Sequence, residues 1–157
     1  MDIFFGPKYG KTLTVIFLAA LIWGIGMLAF RNYSEKGSNV KRSDWNSSEL
    51  SGDAKNFFDR AVSLSEFKPY DDGVVPSVAY YRPPGYPLFL ASVFVFAGYS
   101  LKAVIILQIL IAALIAAIIA DTGRILFDNK TGFFAGILSI IYIPLWNASS
   151  TVNSEIL

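Results

Sequence analysis

The chain contains no cysteine and no histidine. The first absence excludes a disulfide framework and thiol catalysis. The second excludes a histidine general base and histidine metal sites. Acid–base chemistry on these 157 residues falls to carboxylates, lysine or tyrosine. A divalent metal, should one assist, would be held by carboxylates. Excess charge is lacking as well: 13 Lys and Arg face 12 Asp and Glu, for a net charge of +1. A nucleic-acid partner therefore has no electrostatic support.

Apolar character is what the chain has in excess. It is 54% hydrophobic and 15% aromatic, and this character is gathered into long runs, the mark of a protein of the lipid bilayer. Residues 12–30 carry no charge. As a helix they would reach roughly 28 Å, enough for a bilayer core. Lys8 and Lys11 precede them, and no Ala-x-Ala cleavage site stands before Arg31. The pattern predicts an uncleaved anchor. Residues 103–120 predict a second span. Residues 132–150 predict a third, bent or ended near Pro144. Residues 86–97 are apolar but too few to cross, so they predict a juxtamembrane or re-entrant helix.

Residues 31–102 form the polar portion, with acidic and basic side chains in balance. Within it Ala54, Phe57, Phe58, Ala61 and Val62 recur at helical spacing. This predicts an amphipathic helix over about 52–64, lying on the membrane surface. Ser51 can cap it, and Asp53 falls in its first turn, where a negative charge suits the helix dipole. Residues 69–87 are rich in Pro, Gly and Tyr and predict an irregular loop.

The positive-inside rule orders these pieces. With three spans, residues 1–11 and the 121–131 loop share the cytoplasmic side. The loop 31–102 and the segment 151–157 are then external. The expected fold class is all-α and integral to the membrane, with a large external first loop.

Three residues stand out for chemistry. Asp53 would be held close to the membrane surface, although an acid at a helix start is a common structural feature. Arg82 begins the run Arg82-Pro83-Pro84-Gly85-Tyr86-Pro87. Its prolines stop a helix and set a stiff cationic corner, where a lipid phosphate would be a natural partner. Glu155 follows the third span on the same expected side, and alone it reads as a solvated acid. Two carboxylates and one arginine converging on one face is more suggestive than any of them singly. A carboxylate can take a proton from an acceptor hydroxyl, and an arginine can stabilise a departing phosphate. By contrast, Gly6-Pro7-Lys8-Tyr9-Gly10-Lys11-Thr12 is one residue short of a phosphate-binding loop and has no strand before it. It reads as flanking charge.

The order of these features resembles the membrane glycosyltransferases of the C-type fold (GT-C), in the protein-mannosyltransferase-like branch that includes aminoarabinose transferases. Four pieces carry the resemblance. They are Gly52-Asp53-Ala54 with Phe57 and Ala61; the run from Tyr81 through Arg82 to Ala91; Gln108 in a span ending Gly123-Arg124-Ile125-Leu126-Phe127; and Gly132-Phe133-Phe134-Ala135-Gly136 through Pro144 to Ser154-Glu155. The resemblance implies transfer of a sugar from a polyprenyl-phosphate donor to a lipid, glycan or protein acceptor on the external face. It implies that Asp53 acts as base or orients the acceptor, that Arg82 contacts the donor phosphate, and that Glu155 completes the site. The plasma membrane of a prokaryote is the expected location. Phe57 departs from the family, which commonly has tyrosine there. The family also continues through many further helices, so the resemblance implies that this chain is an amino-terminal portion, inactive alone. The rival expectation is a non-catalytic three-span subunit or scaffold that binds a partner through its external loop.

Overall fold

The computed structural model describes residues 7–36, 50, 52–68, 70 and 83–152, with side chains on the first helix given for residues 12–30. Among the described residues it has six helices and no strand: α1 (Pro7–Lys36), α2 (Gly52–Ser65), α3 (Gly85–Ala97), α4 (Leu101–Leu126), α5 (Asn129–Ile141) and α6 (Ile143–Ser149). α1 and α4 are each long and apolar enough to cross a membrane, and α5 with α6 makes a third span if the bent pair is counted as one.

α4 is the central helix. It packs against α1, α5 and α6, and its first turn meets α3. Small residues allow this: Ala112, Ala113, Ala116 and Ala120 are buried along one stripe of α4. In lipid, where apolar burial drives little helix association, close backbone approach is the main attraction. The closest approach lies at Gly132 of α5. A Cβ there would sit 2.5 Å from the Ala120 carbonyl oxygen and 2.7 Å from the Arg124 nitrogen. One turn later, a Cβ on Gly136 would meet the Ile16 side chain at 2.8 Å. The two glycines, four apart, let α5 seat against α4 and α1 together. The window of α1 that could span is only 17% buried, against 50% for α4. Val15, Leu18, Ile22 and Ile25 therefore point outward, as lipid-facing side chains do.

α4 runs further than 103–120. It passes through Asp121 and Arg124, which pair with each other one turn apart, so two charges at the helix end satisfy one another instead of forcing a loop. The connection shrinks to Phe127 and Asp128. Asp128 caps α5 by accepting from the Thr131 N–H at 2.7 Å, which also holds its carboxyl below the usual aspartate range.

α5 stops at Ile141, and α6 leaves at 55° to it. Pro144 is the cause: without an N–H it cannot bond the carbonyl four residues back, at Ile140. The indole Nε1 of Trp146 donates to that same Ile140 oxygen at 2.7 Å. The indole is 1% exposed. It fits because Gly24 of α1 has no side chain; a Cβ there would lie 2.6 Å from the ring.

At the other end of α4, α2 and α3 pack together. Their core holds Phe57, Phe58 and Ala61 of α2 with Tyr86, Leu90 and Phe94 of α3, joined by Leu50, Leu101, Val104 and Val152. The ring of Phe58 meets Phe94 edge-on at 5.3 Å. Full burial of a phenylalanine is worth about 1.5–3 kcal/mol. The apolar face of α2 is thus buried against α3, where the sequence pattern predicted contact with the membrane surface. Gly98 (φ +66°, ψ −172°) closes α3 in a positive-φ conformation open essentially to glycine, and the Ser100 hydroxyl caps α4 by accepting from the Ala103 N–H at 3.3 Å.

Candidate functional site

The candidate site is the layer formed by α2 and α3. Gly52 (φ +59°) turns the chain into α2, and Asp53 follows in the first turn with an exposed side chain. Ser51, the expected cap, lies outside the described residues, as do Arg82 and Glu155. Of the three expected site residues, Asp53 alone is placed.

Asp53 heads a stripe. Phe57 and Arg60 follow it four and seven residues on, and seven residues bring a helix back to within about 20°. Phe57 is 3% exposed and Arg60 also 3%. A buried arginine at a polar–apolar boundary is costly unless its charge is engaged. The Arg60 guanidinium lies over the Tyr70 ring, 4.8 Å from its centroid, a favourable cation–π distance. In the sequence this arginine entered only the charge balance of the polar portion. The available signal was its register, on the same edge of the apolar face as Asp53.

From Phe57 the contacts lead inward. Its ring meets Tyr86 edge-on at 5.1 Å. Tyr86 stacks on Phe89 at 6.0 Å, and its hydroxyl accepts from the Gln108 side-chain nitrogen at 2.9 Å. Gln108 is wholly buried in α4. The helix bearing Asp53 is therefore tied through two aromatic rings to a polar side chain inside the bundle. Phe57 takes no part by hydrogen bonding; the hydroxyl in this chain of contacts belongs to Tyr86.

A second set of polar contacts braces the far end of α2. The Tyr99 hydroxyl donates to Glu66 Oε1 at 2.8 Å, and the Lys68 ammonium lies 2.6 Å from Glu66 Oε2. The hydrogen bond and charge of Lys68, then the hydrogen bond from Tyr99, hold the Glu66 carboxyl below its ordinary range. Glu66 in turn raises Lys68 and Tyr99. Among the described residues, no three Asp or Glu side chains gather as ligands for a cation.

Chemically, the layer offers an exposed carboxylate at a helix start, a buried guanidinium two turns along the same edge, and a rigid aromatic floor. Comparison with family models, with curated proteins and with solved structures finds no match to this chain.

Proposed function

We propose that this chain is the amino-terminal module of a GT-C-like integral membrane glycosyltransferase. It moves a sugar from a polyprenyl-phosphate carrier to an acceptor hydroxyl on the external face of a prokaryotic plasma membrane. The observation that carries the reading is the shared core of the α2–α3 layer. Phe57, Tyr86 and Val152 belong to one buried cluster. In the chain, Asp53 stands four residues before Phe57, Arg82 four before Tyr86, and Glu155 three after Val152. That Phe57, Tyr86 and Val152 share one core supports a common site for the residues near them in the chain.

The reaction is a direct displacement at the anomeric carbon. Asp53 takes the proton of the acceptor hydroxyl as the new carbon–oxygen bond forms. The bond from the sugar to the carrier phosphate breaks, and its electron pair leaves on the phosphate, which Arg82 stabilises. Glu155 completes the site. Any assisting divalent metal would bind through these carboxylates.

The test is transfer of labelled sugar from a polyprenyl-phosphate donor in membranes expressing the full reading frame. Asp53→Asn should lower transfer by about a hundredfold or more and leave membrane insertion unchanged. Normal transfer by that variant removes Asp53 from the site. Tolerance of alanine at both Asp53 and Arg82 would favour the non-catalytic subunit.

A further inference from the structure

A cavity of about 250 Å³ lies at the opposite end of the bundle from the α2–α3 layer. α1, α4 and α5 enclose it, and its lining includes Thr12, Leu13, Ile16, Arg124, Asn129 and Phe133. Its depth is set by the helices. The apolar window of α1 begins at Thr12, and α4 ends at Leu126. In a bilayer that level is the lipid headgroup region.

Its wall is chemically divided. Arg124 is the charged residue of the lining, and its side chain is only 14% exposed. The pairing with Asp121 on the same helix holds the guanidinium in a fixed orientation. The Thr12 hydroxyl and the Asn129 carboxamide add hydrogen-bonding groups. Leu13, Ile16 and Phe133 form the apolar side, and Phe133 and Phe134 extend it outward along the exposed face of α5. The cavity is built by the close approach at Gly132: with no side chain there, the α5 backbone contacts α4 directly beside Arg124.

We propose that this cavity binds the phosphate of an anionic membrane lipid, with Arg124 as the recognising cation, Thr12 and Asn129 as hydrogen-bonding partners, and an acyl chain lying against Phe133. A planar guanidinium is well matched to phosphate oxygens, and the arrangement of polar pocket over apolar wall follows the shape of a lipid at its headgroup. The inference requires that the helices cross a membrane. It does not depend on sugar transfer, because this site and Asp53 lie at opposite ends of the bundle.

The experiment uses the protein in non-ionic detergent and follows its Tm during titration with dioctanoyl phosphatidylglycerol, with dioctanoylglycerol of the same chain length, and with inorganic phosphate. The phosphatidylglycerol should raise Tm saturably and the uncharged lipid should not. Arg124→Gln should weaken the apparent affinity by about tenfold or more. Thr12→Trp, which fills the mouth and leaves the Asp121–Arg124 pair intact, should do the same without lowering the Tm of the unliganded protein. If Arg124→Gln fails to fold, Thr12→Trp decides alone. Equal stabilisation by dioctanoylglycerol, or wild-type affinity in Thr12→Trp, would overturn the site. Equal affinity for inorganic phosphate would assign it to a soluble anion and overturn the lipid as its source.

Discussion

Gln108 donates from α4 to the Tyr86 hydroxyl on α3 at 2.9 Å, with both side chains buried. This bond joins the helix layer carrying Asp53 to the membrane bundle. Its two partners are not equivalent when removed. Tyr86→Phe leaves the buried Gln108 donor unsatisfied and should destabilise the protein by about 1–3 kcal/mol. Gln108→Leu in the same background removes the orphaned group, so the double variant should recover much of that loss. Denaturant unfolding in detergent measures the cycle; additive losses would show that the bond does not couple the layers.

The α4–α5 contact predicts a contrast between glycines. Gly132→Ala pushes a methyl into the Ala120 carbonyl and the Arg124 nitrogen, both backbone atoms that cannot rotate away. Overpacking of this kind costs about 1–3 kcal/mol. Gly26→Ala in α1 meets nothing within 4 Å and should be neutral or stabilising, by up to about 1 kcal/mol, through helix propensity alone. Parallel melting curves of the two variants check both directions.

Trp146 should be replaceable only when the bend is removed with it. Trp146→Phe deprives the Ile140 carbonyl of its donor and leaves space beside Gly24, for a loss of about 3 kcal/mol or more. Pro144→Ala supplies a backbone N–H that can reach Ile140 once the helix straightens. The pair Pro144→Ala with Trp146→Phe should therefore lose less than the sum of the singles. A sum without interaction would mean that the indole serves packing only.

The Glu66 contacts predict a pH window. Glu66 is lowered on folding, so its contribution is present above the unfolded glutamate pKa and is lost as pH falls through the lower folded value. Lys68 and Tyr99 are raised, so theirs is present below their unfolded values and is lost as pH rises through the folded ones. The stability difference between wild type and Glu66→Gln should form a plateau at neutral pH and fall at both ends. All three groups are exposed, so added salt should flatten it. A difference independent of pH would exclude the contacts as its source.

Much of the architecture was legible before the structure, for identifiable reasons. The helix expected at 52–64 is Gly52–Ser65 and the one expected at 86–97 is Gly85–Ala97, because apolar period and proline placement act locally. What α2 packs against was not legible, since period reveals that a face is apolar and not what covers it. The end of α4 was missed because Asp121 and Arg124 read as loop residues until their mutual pairing is known. The third apolar segment was expected to bend or end near Pro144, and α5 and α6 meet there at 55°. The partner of the freed carbonyl depends on Trp146 meeting Gly24 of another helix, which no local pattern encodes. The place of Asp53 in the first turn of α2 was legible. The burial of Arg60 was not, because its partner Tyr70 lies ten residues on, beyond the end of α2.

The kink at Tyr142 also has a mechanical meaning. Val152, three residues past α6, is seated in the α2–α3 core, while α6 itself is docked on α4 through Trp146. The short helix thus bridges the bundle and the α2–α3 layer. Straightening it would swing its far end sideways and extract Val152 from its socket. The Trp146 indole, bonded to Ile140 and packed on α4, sets the direction in which α6 leaves α5 and so the position of Val152 in the layer that bears Asp53.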